Sequence, residues 1–359
     1  MEPDAPSAVA AAPRGVWLRP PKMLTFQNVL DLHKGGPGFD FLRVFLAIAV
    51  VFDHSYVLLF GGDIIGVVWF GPLFYLIVPA FFALSGFLVA GSLERSRGLG
   101  RFFKLRFLRI FPALCGEILL SALIIGPMLT TYSVKAYFSD PLIRSYFLNL
   151  VGYMHFRLPG VFSHNMIDTV NGSLWTVPGE LLCYAAIGAL GFVKLNQRPF
   201  LFLLFTIAAN SAYVGLLYFL HRTFAPSTYD TVPYFLAGVS FYLLRARMPL
   251  HIGLFGLCLV MLYFGIHQNF AFQKIVGPWP VAYCVAYVGL HSLPEVSKLL
   301  RGDLSYGIYL YGYPLQQVLL QTLGYQQNVF VFFILSAVGA ICAASLSWRL
   351  IERPALALR

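Results

Sequence analysis

Ten stretches of this chain come near the roughly 20 consecutive apolar residues that a helix needs to cross a hydrocarbon core about 30 Å thick. They run at about Phe41–Phe60, Val67–Ala90, Ile110–Thr130, Leu174–Val193, Phe200–Leu220, Thr231–Leu244, Leu250–Ile266, Ile275–His291, Leu304–Leu323 and Asn328–Leu350. In hydrocarbon every backbone N–H and C=O has to be satisfied within the protein, so serial stretches of this kind fold as packed helices. The expected fold is all-α, a polytopic membrane bundle of about ten transmembrane helices, with the sixth and eighth short or interrupted by proline. Composition agrees, because only 11% of the 359 residues are charged where soluble domains carry about 25%. A soluble, disordered or collagen-like chain is excluded. The five cysteines, Cys115, Cys183, Cys258, Cys284 and Cys342, fall inside apolar stretches with no CxxC pair. Neither a disulfide framework nor a metal site is therefore expected.

Charge orients the bundle. Of the 25 Lys and Arg residues, 20 fall in the N-terminal arm and alternate loops, six of them between Arg95 and Arg109. The opposite loops hold Lys135, Arg144, Arg157, Arg222 and Lys274. Basic residues concentrate on the cytoplasmic side, so both termini are expected there. The net charge of +10 then records topology, and no nucleic-acid partner is implied. The chain divides into a cytoplasmic arm, 1–38, a transmembrane domain, 39–354, and a cytoplasmic tail, 355–359. Residues 1–22 read as a disordered tail, and Leu24–His33 as a short amphipathic helix on the cytoplasmic surface. No cleavable signal peptide is expected, since the first long apolar run continues as a full span. The longest polar excursion, Tyr132–Ser173, is expected to re-enter in part over the apolar Tyr146–Tyr153.

Ionisable residues within spans are costly and mark functional candidates. Eleven steps of about 100° bring His54 back to within about 20° of Arg43, so both project from one face and can line one cavity. The same steps cover about 16 Å, which puts Arg43 near the cytoplasmic interface and His54 in the outer half. Plainer readings compete: Arg43 snorkelling to lipid phosphates and His54 bonded to a neighbouring helix. Arg106 and Arg109, three apart, share a face at the start of the third span, with no carboxylate nearby in the sequence. Guanidinium forks hold phosphates bidentately, although the cytoplasmic excess of basic residues accounts for them as well. Asn171-Gly172-Ser173-Leu174-Trp175 reads as a capped helix start. It carries Glu180 one or two turns into the membrane, where a carboxylate has to be paired, protonated or facing water.

Together these stretches resemble the integral-membrane acyltransferase-3 family, from about Gly38 to Pro354. The resemblance rests on Arg43 followed eleven residues on by His54, Phe81-Phe82-Ala83-Leu84-Ser85-Gly86-Phe87-Leu88, and the Arg106-x-x-Arg109 pair before Phe111-Pro112. It rests also on Ser173-Leu174-Trp175-Thr176 through Glu180, and on the late Leu304-Ser305-Tyr306-Gly307-Ile308-Tyr309-Leu310 with the closing Ile351-Glu352-Arg353-Pro354. One departure is that many members have His-x-Pro where Gly312-Tyr313-Pro314 stands.

The resemblance implies an enzyme that moves an acyl group, commonly acetyl, from acyl-CoA to a hydroxyl of a cell-surface or exported carbohydrate. Acetyl-CoA is a donor substrate in that scheme and no cofactor is permanently bound. Arg106, Arg109 and Arg43 are expected to hold the CoA phosphates. Neutral His54 is expected to accept the hydroxyl proton, and Ser85 or Trp175 to assist the oxyanion. Glu180 either orients the histidine or binds the sugar. The expected location is the bacterial inner membrane, among lipid and, in one version, polysaccharide-synthesis machinery. The competing class is a multi-span transporter or exporter of a glycan or small molecule, against which stands the lack of an inverted repeat.

Overall fold

The computed structural model describes residues 24–33, 36–62, 71–221, 227–265, 270–294, 298–299 and 302–358. The tail read as disordered, 1–22, and residues 67–70 of the second apolar stretch lie outside these. Every regular element among the described residues is helical, and β pairing is limited to isolated bridges at Thr25–Pro249 and Thr130–Val161. The main helices are α1 (Phe26–His33), α2 (Phe39–Phe60), α3 (Ile77–Arg95), α4 (Leu99–Leu120), α5 (Val177–Phe192) and α6 (Pro199–Phe219). They continue with α7 (Val232–Leu243), α8 (Ile252–Gly265), α9 (Pro278–Leu290), α10 (Ser305–Leu323) and α11 (Val329–Ser347).

Among the described residues six helical runs are long and apolar enough to cross a membrane: Phe39–Phe60, Leu73–Arg95, Leu99–Leu129, Gly172–Phe192, Pro199–Phe219 and Val329–Leu356. The protein is an integral membrane protein. The remaining expected spans also contain helices, of a different kind. Three of them, α7, α8 and α9, have 12, 14 and 13 residues, about 18–21 Å at 1.5 Å per residue, short of the bilayer core. Helix α10 has 19 residues and the length to span, but it carries Gln316 and Gln317 fully buried. It is a central helix shielded from lipid by others. Gln316 Nε2 donates to Val51 O and to Ser55 Oγ, both at 2.8 Å, locking α10 to α2.

The basic segment before the third apolar stretch is helical from Leu99, about ten residues earlier than its hydropathy suggests. Its apolar positions explain this: Phe102 and Ile110 are buried while Arg101, Phe103, Lys104 and Phe107 face outward. Helix α4 then runs through a π-turn, Ser121–Ile125, into Gly126–Leu129. The amphipathic α1 forms as expected and docks on the bundle. Phe26, fully buried, packs its ring against Phe87, Phe241 and Tyr283.

Helices α3 and α7 approach backbone to backbone. A Cβ on Gly86 would run into the Phe235 carbonyl, and a Cβ on Gly238 into the Ala83 carbonyl. Small residues permit such crossings where lipid supplies no hydrophobic drive between helices. Gly238→Leu should therefore cost at least the ~1–3 kcal/mol of ordinary overpacking, read as a lower unfolding temperature in detergent. Gly256→Leu on α8, where a Cβ would meet nothing within 4 Å, should leave that temperature unchanged.

At the end of the bundle away from Arg95 and Leu99, the segment after Leu129 folds back onto the helices. Tyr137 and Tyr146 are fully buried, and Tyr137 Oη donates to Ala122 O at 2.8 Å. The irregular stretch beyond Gly152 is tied down by side chains. Asn149 both donates to His155 O and accepts from His155 N, and Arg157 pairs with Asp168 at 2.9 Å.

Candidate active site

A chamber of about 380 Å³ opens among α2, α3, α4, α5, α7 and α10, within the size range of small-molecule sites. Its position follows from helix periodicity on α4. Arg106, Arg109 and Ile110 line the chamber, while Phe107 is 55% exposed and stacks on Phe111 at 4.6 Å. One face of α4 is thus basic and enclosed, and the other is aromatic and turned outward.

At one end of the chamber a carboxylate binds two cations. Asp303, in the turn before α10 and outside the spans, accepts from Arg109 Nη2 at 2.8 Å and stands 3.4 Å from Arg43 Nη1. Burial alone would raise the Asp303 carboxyl, but Arg109 and then Arg43 outweigh it and hold the group at about 2. It is ionised under all ordinary conditions. Sequence reasoning placed no carboxylate near Arg109. The correction comes from folding, which brings in a residue 194 positions away. An acidic residue at the very edge of a late span was the signal available.

Arg106 is held differently. Its Nη2 donates to Ser92 Oγ at 3.0 Å, and its guanidinium lies 5.9 Å from the Tyr184 ring centroid and 6.0 Å from that of Phe102. Buried Nε atoms of both Arg43 and Arg106 have no hydrogen-bond partner. Unsatisfied buried donors of this kind call for an explanation. Across the chamber Tyr184 Oη donates to Glu180 Oε1 at 2.5 Å. Ser85 lines the same wall. Glu180 therefore sits inside the chamber, bonded to a tyrosine one turn along its own helix, and His54 is not among its hydrogen-bond partners in the described residues.

The chamber's other end is formed by Phe81, Thr176 and Tyr309. Tyr309 Oη lies 2.8 Å from Thr176 Oγ1 and donates to Ser173 O at 3.1 Å. His54 lies about one turn of α10 farther on. Its ring meets that of Tyr313, four residues after Tyr309, edge to face with centroids 4.9 Å apart. The single cavity expected for Arg43 and His54 is not what the structure shows: Arg43 lines the chamber and His54 does not. Periodicity fixed their common direction on α2, but the neighbouring α10 divides the space in front of that face. Trp175 is half-buried and likewise does not line the chamber.

The stretch from Asn165 to Thr176 seats on α10 next to His54. Gln317 Nε2 donates to Ile167 O and Thr169 O, both at 2.7 Å, and Asn171 Nδ2 donates to Leu310 O at 2.9 Å. Gly312 lies against Val51: a Cβ there would come within 3.1 Å of Val51 Cγ2. Glu117, buried in α4 and outside the chamber, accepts from Ser121 Oγ at 2.7 Å in the π-turn. Tyr184, Ser92 and Asp303 were not singled out from sequence, and Thr176 and Tyr309 stood there only as members of the family phrases, with no role of their own. Nothing but the fold marks Tyr184 and Ser92 among 20 tyrosines and many hydroxyls.

The profile of the acyltransferase-3 family, described as an acyltransferase domain, matches residues 37–349. The chain belongs to the acyltransferase-3 family. Nodulation protein 10 of Rhizobium leguminosarum bv. viciae is 30% identical over 351 residues, covering 89% of this chain and 93% of that protein. An O-acetyl transferase of Shigella phage Sf6 is 28% identical over 350 residues, 90% of this chain and 96% of the phage protein. No solved structure matches the chain. This acyltransferase, then, is a membrane enzyme, and its family phrases meet around one interior. Ser85 of the second, both arginines of the third and Glu180 of the fourth line the chamber, and Tyr306 and Tyr309 of the late phrase close it.

Proposed function

We propose that this acyltransferase moves an acetyl group from acetyl-CoA, entering from the cytoplasmic side, to a hydroxyl of a cell-surface or exported carbohydrate, with His54 as general base. The observation that carries this reading is the chamber itself. It has arginines with spare donors at one end, Arg43 and Arg106, an apolar wall suited to a pantetheine arm, and His54 one helical turn beyond the other end. The name of the phage relative supports acetyl as the group.

In the proposed reaction the His54 imidazole takes the proton of the acceptor hydroxyl as its oxygen attacks the thioester carbonyl. The carbon–sulfur bond then breaks, and the imidazolium returns the proton to the CoA thiolate. Direct transfer of this kind needs no acyl-enzyme. For the thioester to reach His54, the Tyr309 side chain has to swing away from Thr176 and Ser173. The sugar arrives from the side of residues 130–171. Glu180, bonded to Tyr184, holds the chamber wall on the donor side, nearer the arginines than the base.

Purified protein incubated with isotopically labelled acetyl-CoA and a panel of glycans should release free CoA and give a glycan heavier by one labelled acetyl group, read by mass. Ion-coupled glycan flux in proteoliposomes with no thiol release from acetyl-CoA would overturn the reading in favour of a transporter.

A further inference from the structure

A second hollow, of about 320 Å³, lies where α3 turns into α4 and shares Ser92 and Arg95 with the chamber. Its wall holds Arg95, Arg97, Arg101 and the hydroxyl-bearing Ser92 and Ser96. The hollow is polar where the chamber is mostly apolar, and the two adjoin at Ser92 and Arg95.

The charges in it are uncompensated. Among the described residues Arg43 and Arg109 share Asp303, Arg245 pairs with Glu94, and Arg157 pairs with Asp168. Neither Arg95, Arg97 nor Arg101 has an ion-pair partner there. A cytoplasmic excess of basic residues accounts for their side of the membrane. It does not account for three of them lining one concavity next to the chamber. All three arginines are exposed, so they are open to an incoming anion, and guanidinium is suited to phosphate because its planar fork donates two parallel hydrogen bonds.

We propose that this hollow is a phosphate subsite for the 3′-phosphoadenosine end of the CoA donor, with Arg97 and Arg101 on the 3′-phosphate and Arg95 at the passage into the chamber. The inference rests on the donor assigned under the proposed function. A lipid headgroup phosphate shares the same chemistry, and the test separates the two sources.

The decisive probe is 3′-dephospho-CoA, which differs from CoA only in the group assigned to the hollow. Affinities of both would be measured by calorimetry on the full chain in nanodiscs of neutral lipid. Wild type should bind CoA about 10- to 100-fold more tightly than dephospho-CoA, the range expected for charge-assisted hydrogen bonds. In Arg97→Gln/Arg101→Gln that ratio should fall towards one through weaker CoA binding, with dephospho-CoA affinity unchanged. Equal wild-type affinities for the two ligands would overturn the subsite and leave the donor assignment standing. Binding of neither ligand by wild type would overturn the donor assignment, and the subsite with it. A variant that keeps the wild-type ratio but loses co-purifying phosphatidylglycerol from anionic nanodiscs would make the hollow a headgroup site and overturn the nucleotide assignment.

Discussion

His54→Ala should lower acetyl transfer by about 10²- to 10⁴-fold, the usual worth of a positioned general base, at unchanged CoA affinity and normal abundance in the membrane. The separation of sites in the structure makes the two readouts independent. One end of the chamber is built by Arg43, Arg106, Arg109 and Asp303, and among the described residues none of them is bonded to His54. His54 instead rests on Tyr313, beyond the Tyr309–Thr176 contact that closes the chamber. Removing the imidazole therefore leaves the chamber's arginines where they are. The competing role for His54 is structural, an aromatic contact worth about 0.5–1.5 kcal/mol beyond its area. That role predicts the reverse pattern, in which His54→Ala lowers the unfolding temperature and keeps the rate per folded molecule. A rate within twofold of wild type for the folded variant would remove His54 from the reaction. His54→Phe sharpens the comparison, because it preserves a ring against Tyr313 while deleting the proton acceptor.

How much of this was legible in the sequence depends on the range over which each feature is determined. The helices were legible, since apolar length is a local property, and all ten expected stretches contain one. Which of them face lipid was not, because Val232–Leu243 and Ser305–Leu323 are as apolar or as long as true spans, yet are wrapped by neighbours. The shared face of Arg106 and Arg109 was legible from their spacing, and both do line the chamber. Their counter-charge was not, because Asp303 is brought to them only when α10 packs into the centre. Nor was the division between the chamber and His54. Helical arithmetic gives a side chain's direction around its own axis, and whether two such side chains see one space depends on what the next helix places between them, here Tyr309 and Tyr313.

The charge cluster around Asp303 carries the second large expectation, because Arg109 and Arg106 should differ sharply despite their matching positions on α4. Arg109→Ala leaves the Asp303 carboxylate with Arg43, at 3.4 Å, as its one ion-pair partner among the described residues, beside the Ser305 hydroxyl that donates to it at 2.7 Å. Removing one partner from a buried pair costs about 3–5 kcal/mol, and with a fifth of each side chain exposed the lower end of that range applies. Arg109→Ala should thus weaken both CoA binding and the fold. Among the described residues Arg106 is in no ion pair and is held by Ser92 and two aromatic rings, so Arg106→Ala should raise the KM for acetyl-CoA at nearly unchanged unfolding temperature. Asp303→Ala on the Arg109→Ala background should recover part of the lost stability, because it removes the carboxylate left underpaired, and the two losses should sum to more than the double variant shows. The pH dependence has a fixed sign. The Asp303 carboxyl is held at about 2, below its ordinary 3.8, so its contribution is complete above that ordinary value and is lost as pH falls through about 2. At neutral pH the whole effect of the cycle is present, and thermal unfolding in detergent would read it. Strict additivity of the two single variants would show that Arg109 and Asp303 do not act as a pair, and the contrast with Arg106 would lose its cause.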